Sequence, residues 1–299
     1  MIRTYGTYGF GEWVRIVVAL SKIRISQLVG MSTVLGYVLA SGSLSWRVIL
    51  PALGTFLLSC GSAALNQYQE RHYDGLMERT QGRPLPAGNI APAQGLAISL
   101  GLIFVGALTL YLSSNLLAVS LGLFNILWYN GFYTPLKRKS AFAVIPGSLI
   151  GAIPPAIGWV AAGGHLLDLR IWTLSLFFFI WQIPHYWLLM MNLSEDYRKA
   201  GFPTITEVLG RTALARITFF WIVITGLICL LIPMSFPGSS PWLFAALYGS
   251  AVWLVWNSRR LLFATIDSAI PFLAFKGINI YMLVVILALA IDRLFGLPL

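Results

Sequence analysis

Residues 93–133 read AQGLAISLGLIFVGALTLYLSSNLLAVSLGLFNILWYNGFY, without one charged side chain. A helix needs about 20 apolar residues to cross the hydrocarbon core. The stretch therefore holds two spans, near 93–112 and 115–133, and the fold is a membrane fold. Similar runs recur along the chain and predict seven more, near 24–41, 48–66, 142–162, 171–191, 213–233, 241–257 and 273–291. The composition agrees: 299 residues, 58% hydrophobic, 10% charged, with a mean hydropathy of +0.80. A soluble domain carries about 25% charged residues. Cys60 and Cys229 sit in apolar runs, as packed thiols would. The expected architecture is an all-α integral membrane bundle of about nine transmembrane helices, one domain over 1–299. Residues 1–22 form its amphipathic N-terminal segment, with Arg3, Glu12, Arg15 and Lys22 around an apolar Trp13–Leu20, as in a helix lying at the interface.

The net charge is +10. On a soluble protein that would suggest nucleic acid. Here Lys and Arg hold cytoplasmic loops against an anionic leaflet, and the bilayer, not nucleic acid, is the expected partner. With the N-terminus in the cytoplasm, 17 of the 20 basic residues fall inside and only Arg47, Arg170 and Arg293 outside. The acids repeat the pattern, which topology does not require. Asp168 and Asp292 fall outside; the others, Asp267 among them, fall inside. The two longest gaps between spans, 67–92 and 192–212, are both inside and both carry acids beside bases.

The first gap opens on Asn66-Gln67-Tyr68-Gln69-Glu70-Arg71-His72-Tyr73-Asp74 and continues Arg79-Thr80-Gln81-Gly82-Arg83-Pro84. If the second span runs on as a helix, Asn66, Glu70 and Asp74 share one face. Oxygen ligands in a row suit a hard cation such as Mg²⁺, which bridges to phosphates. Arg79 and Arg83, one turn apart, match phosphate oxygens. The bland alternative is a polar loop with helix-face ion pairs. The second gap follows Trp181-Gln182-Ile183-Pro184-His185, where Pro184 removes a backbone donor. It holds Asn192, Glu195, Asp196, Arg198 and Lys199, again an acidic helix end. Between the two lies Tyr133-Thr134-Pro135-Leu136-Lys137, a positive loop whose Tyr and Lys stand four apart.

Taken in order, these segments resemble the UbiA-type intramembrane prenyltransferases, and within them the haem-farnesylating branch. Pro146-Gly147, Gly151-Ala152-Ile153-Pro154-Pro155, Gly158-Trp159, Tyr197, Ala200-Gly201 and Pro203 extend the resemblance, which runs from Lys22 to the C-terminus. It implies a UbiA-type bundle; the basic asymmetry sets the site toward the cytoplasm, and with no transit segment in view a bacterial inner membrane is the expected home. The resemblance implies farnesyl diphosphate and protohaem as substrates, haem O and diphosphate as products, and Mg²⁺ as cofactor. Haem A synthase or oxidase assembly factors are candidate protein partners. Metal would fall to Asn66, Glu70, Asp74 and Asp196, with Glu195 beside them. Catalysis would fall to those four and Lys137. Arg71, Arg79, Arg83, Tyr133, Lys137 and Lys199 would meet substrate, and His185 is a candidate contact for haem iron or a propionate. The pattern departs from the superfamily in Glu70, where an Asp is usual, and in lacking a second D-x3-D.

Three rivals stand beside this reading. A sister prenyltransferase with an aromatic acceptor would share the metal and phosphate residues. A secondary transporter would place its acids nearer the midplane, whereas these lie at the rim. A haem-carrying oxidoreductase would want paired axial histidines, and only His72, His165 and His185 exist.

Overall fold

The computed structural model describes residues 8–263 and 269–296. Arg3 and Asp267, counted above, lie outside the described residues. Ten principal helices carry the fold: α1 (Phe10–Leu20), α2 (Ile23–Ser41), α3 (Ile49–Asp74), α4 (Pro92–Ser113), α5 (Leu116–Ile126), α6 (Leu149–Ala161), α7 (Leu169–Lys199), α8 (Arg211–Cys229), α9 (Pro241–Ser258) and α10 (Ala269–Phe295). All nine expected spans are helical. Eight are long and apolar enough to cross a membrane. The ninth, α9, has 18 residues. Trp242, Tyr248, Trp253, Trp256 and the terminal Asn257-Ser258 lower its hydropathy; such amphipathic rings suit the membrane interface.

The helices pack as a closed bundle. α3 lies along α4; α2 meets α3 and crosses α6; α7 packs on α6, α8 and α10; α9 sits against α8 and α10; and α10 returns to α2. In lipid no hydrophobic force separates helix from solvent, so close van der Waals contact must hold the pairs together. The α2–α6 crossing shows how. A Cβ at Gly36 would collide with the carbonyl oxygen of Pro155, and one at Gly158 with that of Thr33. The two backbones touch, and only glycine permits it. Cys60 and Cys229 are buried free thiols.

Two spans are interrupted. α5 runs on through a π turn, Leu127–Tyr133, and a last helical turn to Leu136. The span expected over 142–162 breaks at Ser148, between Val144–Gly147 and α6. α1 does not lie on lipid alone. Its Ile16 and Leu20 pack with Ala64, Leu85 and Ile90, so it is pinned against α3 and the loop that follows it.

The backbone contact at the α2–α6 crossing predicts that Gly158→Ala destabilises the bundle by about 1–3 kcal/mol through overpacking. Gly101 on α4 has open space around it. There the same substitution should be neutral or gain about 0.5–1 kcal/mol from helix propensity. Thermal unfolding in detergent compares the two; equal midpoints would show that the crossing has room to give.

Candidate active site

α3 carries its last turns beyond the apolar part of the bundle, and the spacing puts Asn66, Glu70 and Asp74 on its inner face. All three are buried, at 1%, 4% and 1% exposure. A buried charge must be paired, and each acceptor meets a cation from a different part of the chain. Lys137 Nζ stands 2.7 Å from Glu70 Oε2. Arg83 NH1 stands 2.8 Å from Asp74 Oδ2. Lys22 Nζ donates to Asn66 Oδ1 at 3.1 Å. The second Glu70 oxygen, Oε1, is buried with no hydrogen-bond partner.

From the sequence Lys22 is an inner-side charge closing the interfacial segment; the structure brings it into the site. It lies at the bend between α1 and α2 with φ 45° and ψ 51°. No other described non-glycine residue has positive φ. Such backbone is costly and persists where its surroundings hold it. Here Gln67 holds it, donating to the carbonyls of Ala19 and Leu20 at 2.8 and 2.9 Å. Burial, with Arg83 and Lys137 nearby, pushes the Lys22 ammonium down to about 7. No spacing rule could have found this residue, because its partner is 44 positions away.

The π turn locks the end of α5 to α3. Asn130 accepts from Ser62 Oγ at 2.6 Å and donates to the Ser62 carbonyl and Gln69 Oε1. Gln69 in turn donates to the Asn130 carbonyl at 3.0 Å. Asn66 Nδ2 donates to Thr134 Oγ1 at 3.2 Å, which fixes the amide with its oxygen toward Lys22. π turns often mark functional sites. This one holds Thr134, and Lys137 just beyond it, over the α3 row.

Beneath the row lies a cavity of about 160 Å³, with Lys22 at its head and Val29, Leu58, Ala63 and Ile157 among its apolar walls. A smaller pocket of about 70 Å³ beside the row is lined by Tyr133, Lys137, Tyr186 and Tyr197. Tyr186 borders both spaces. Tyr129 and Tyr133 are stacked with ring centroids 5.8 Å apart. Such faces attract cations, and Lys137 Nζ lies 5.9 Å from the Tyr133 ring and 5.6 Å from that of Phe202.

The other expected site residues scatter. Phe202 links the ends of α3 and α7 by packing on Tyr73 and Tyr197. Asp196 is half-buried at the end of α7, next in sequence to Tyr197. Glu195 points outward, 64% exposed, and pairs with Arg198 at 2.6 Å. Lys199 ties α7 to exposed Glu78 at 2.7 Å. Arg79 is exposed. Arg71 turns back on its own helix, over the Tyr68 ring and onto the Tyr68 carbonyl. His185 leaves the cavity to its neighbour Tyr186. It stacks on Trp181 at 4.6 Å and lies 4.9 Å from Phe275 of α10, its Nδ1 unpartnered. The arrangement can bind a polyanion through three cations, a hard cation through three oxygen donors, and a hydrocarbon chain below.

A model of the UbiA prenyltransferase family matches residues 29–291. The protoheme IX farnesyltransferase of Geobacter sulfurreducens is 37% identical over 76% of this chain and 84% of its own length. That of Oleidesulfovibrio alaskensis is 31% identical over 94% and 97%. A UbiA homolog from Archaeoglobus fulgidus, solved bound to DMAPP and Mg²⁺, superposes with a TM-score of 0.71 at 13% identity, over 94% of this chain and 99% of that one. The likeness to that structure is one of fold. The length and identity of the two relatives and the extent of the family match carry more: this chain is a membrane-embedded prenyltransferase and belongs to the UbiA family.

Proposed function

We propose that the chain transfers the farnesyl group of farnesyl diphosphate to a vinyl group of protohaem, with addition of water, giving haem O and diphosphate. The observation that carries this is the α3 row, three buried oxygen donors each faced by a cation, set over a largely apolar cavity. The haem acceptor is taken from the relatives' names.

The residues fit magnesium. Among the described residues no three His, Cys, Asp or Glu side chains stand together. A cation at the row would therefore be held by two carboxylates and an amide, Glu70, Asp74 and Asn66, with Asp196 the candidate from α7. Magnesium favours few protein ligands and keeps positions for phosphate oxygens. Glu70 Oε1 is already without a partner. When bound, the ion would supply Lewis-acid charge to the leaving diphosphate. Lys137 and Arg83 would turn from the acids, and Lys22 from Asn66, to the phosphates, where negative charge grows as the C–O bond breaks. Tyr129, Tyr133 and Tyr186 would face the allylic cation, and the apolar walls would keep bulk water away from it. With the basic excess inside, the mouth faces the cytoplasm of a bacterial inner membrane. The product would feed haem A and terminal oxidase assembly.

Purified protein with Mg²⁺, farnesyl diphosphate and haem should give haem O and diphosphate by mass spectrometry. Prenylation of a benzoate or naphthoate with no haem product would move the chain to another branch of the family. Glu70→Gln should lower kcat by about 10²-fold or more, as loss of a preorganised electrostatic group does. Glu195→Gln should change it by less than about threefold, because exposed pairs contribute little. Equal losses in both would place the metal differently. Lys137→Met strips a buried carboxylate of its partner and should cost about 3–5 kcal/mol of stability. Adding Glu70→Gln should recover much of that in thermal unfolding; no recovery would mean that Glu70 and Lys137 are not coupled.

A further inference from the structure

The central cavity has a second chemical character that the diphosphate site does not use. On its wall stand Asn125 of α5 and Gln182 of α7, and the amide oxygen of each is buried with no partner. Ile150 and Gly151 line the same space. Their carbonyls would ordinarily accept from residues 154 and 155, but both are proline, inside α6, and have no N–H to give. Gly151 lies against the Gln182 amide, where a Cβ would collide with it. The serines nearby are engaged: Ser26 with the Ser21 carbonyl, Ser59 with Ser26, and Ser62 with Asn130. Lys22, Tyr129, Tyr186 and the NH2 groups of the two amides also reach this cavity, yet the two amide oxygens stay without a donor. Unpartnered acceptors in a bundle core are costly, so a donor from outside the protein is expected there.

The geometry points to Asn125 and Gln182, with the freed α6 carbonyls, as the site that holds the water added to the substrate vinyl group. This rests on the farnesyl-to-haem reading above. A water needs about 10–15 Å³ and two to four polar partners, and the cavity offers about 160 Å³. A site of acceptors takes a water by its hydrogens and leaves its lone pairs turned outward. That is the orientation a nucleophile needs. In the step itself the farnesyl C–O bond breaks and its electron pair leaves with the diphosphate. The vinyl π pair forms the new C–C bond, leaving positive charge on the vinyl carbon next to the porphyrin ring. The water lone pair closes on that carbon, and the proton it sheds goes to the released diphosphate. Nothing is oxidised or reduced. Without the held water, the same cation loses a proton and the product lacks the hydroxyl.

The test compares products by mass spectrometry, with wild type run in heavy-oxygen water. Wild type should place the heavy oxygen in the product. A wild type that gives no haem product overturns the farnesyl-to-haem reading itself. Asn125→Leu and Gln182→Leu should keep diphosphate release and the KM for farnesyl diphosphate. Each should raise the ratio of dehydrated to hydrated product by about tenfold or more, equivalent to about 1.4 kcal/mol. Asn125→Asp and Gln182→Glu keep an acceptor oxygen and should restore hydration. An unchanged product ratio in both leucine variants overturns the proposal. So does equal loss of all product in the leucine and acid variants, which would make these residues structural.

Discussion

The structure depends on three buried acceptors at the end of one helix and the three cations that face them. Glu70 and Asp74 are too deep to be solvated, and an unpaired carboxylate at that depth costs several kcal/mol. Their partners come from distant parts of the chain: Lys137 from beyond the α5 turn and Arg83 from the loop after α3, with Lys22 on Asn66 from the α1–α2 bend. Pairing the two acids fixes two connections, and the Lys22–Asn66 hydrogen bond adds a third. The left-handed bend at Lys22, the π turn after Ile126 and the loop after α3 are the segments that bring those cations to the row.

Below the mouth the constraint changes from charge to distance. α2 and α6 approach until backbone touches backbone at Gly36 and Gly158. α3 and α4 are further joined by Ser99 donating to the Gly61 carbonyl at 2.8 Å. These contacts hold one side of the cavity rigid. The break at Ser148 and the proline pair in α6 relax the same side at the level of Ile150. A wall built of close-packed helix whose Ile150 and Gly151 carbonyls lack their usual donors at Pro154 and Pro155 can enclose hydrocarbon while presenting dipoles at a chosen depth.

Much of this was legible in the sequence, for local reasons. The spans follow from uninterrupted apolar length. The Asn66–Glu70–Asp74 row follows from helical spacing within nine residues, and Arg83 from its nearness to it. What was not legible depends on tertiary direction. Glu195 and Asp196 are neighbours in sequence, yet one pairs with Arg198 in the open and the other is half-buried; no spacing separates them. His185 and Tyr186 divide in the same way, one toward α10 and one into the cavity. Lys22 reaches Asn66 only because Gln67 holds the α1–α2 bend, and a positive φ at lysine has no sequence signature. Asn130 and Thr134 matter because a π turn changes the register of α5, which an apolar run conceals.

The pairing also bears on how such a site can be loaded. Lys137 and Arg83 balance the two carboxylates, and Lys22, pushed down to about 7, adds only part of a positive charge to the free mouth. In the proposed reading a diphosphate arrives with a divalent cation. The acids then take the cation and the lysines and arginine take the phosphates. In that reading every buried charge would keep a partner through the exchange. Metal alone would displace the lysines into an apolar wall, and diphosphate alone would pull them from the acids. In that reading either half-loaded state would leave charge unpaired at depth, so the constraint that builds the mouth would favour joint binding of cation and diphosphate.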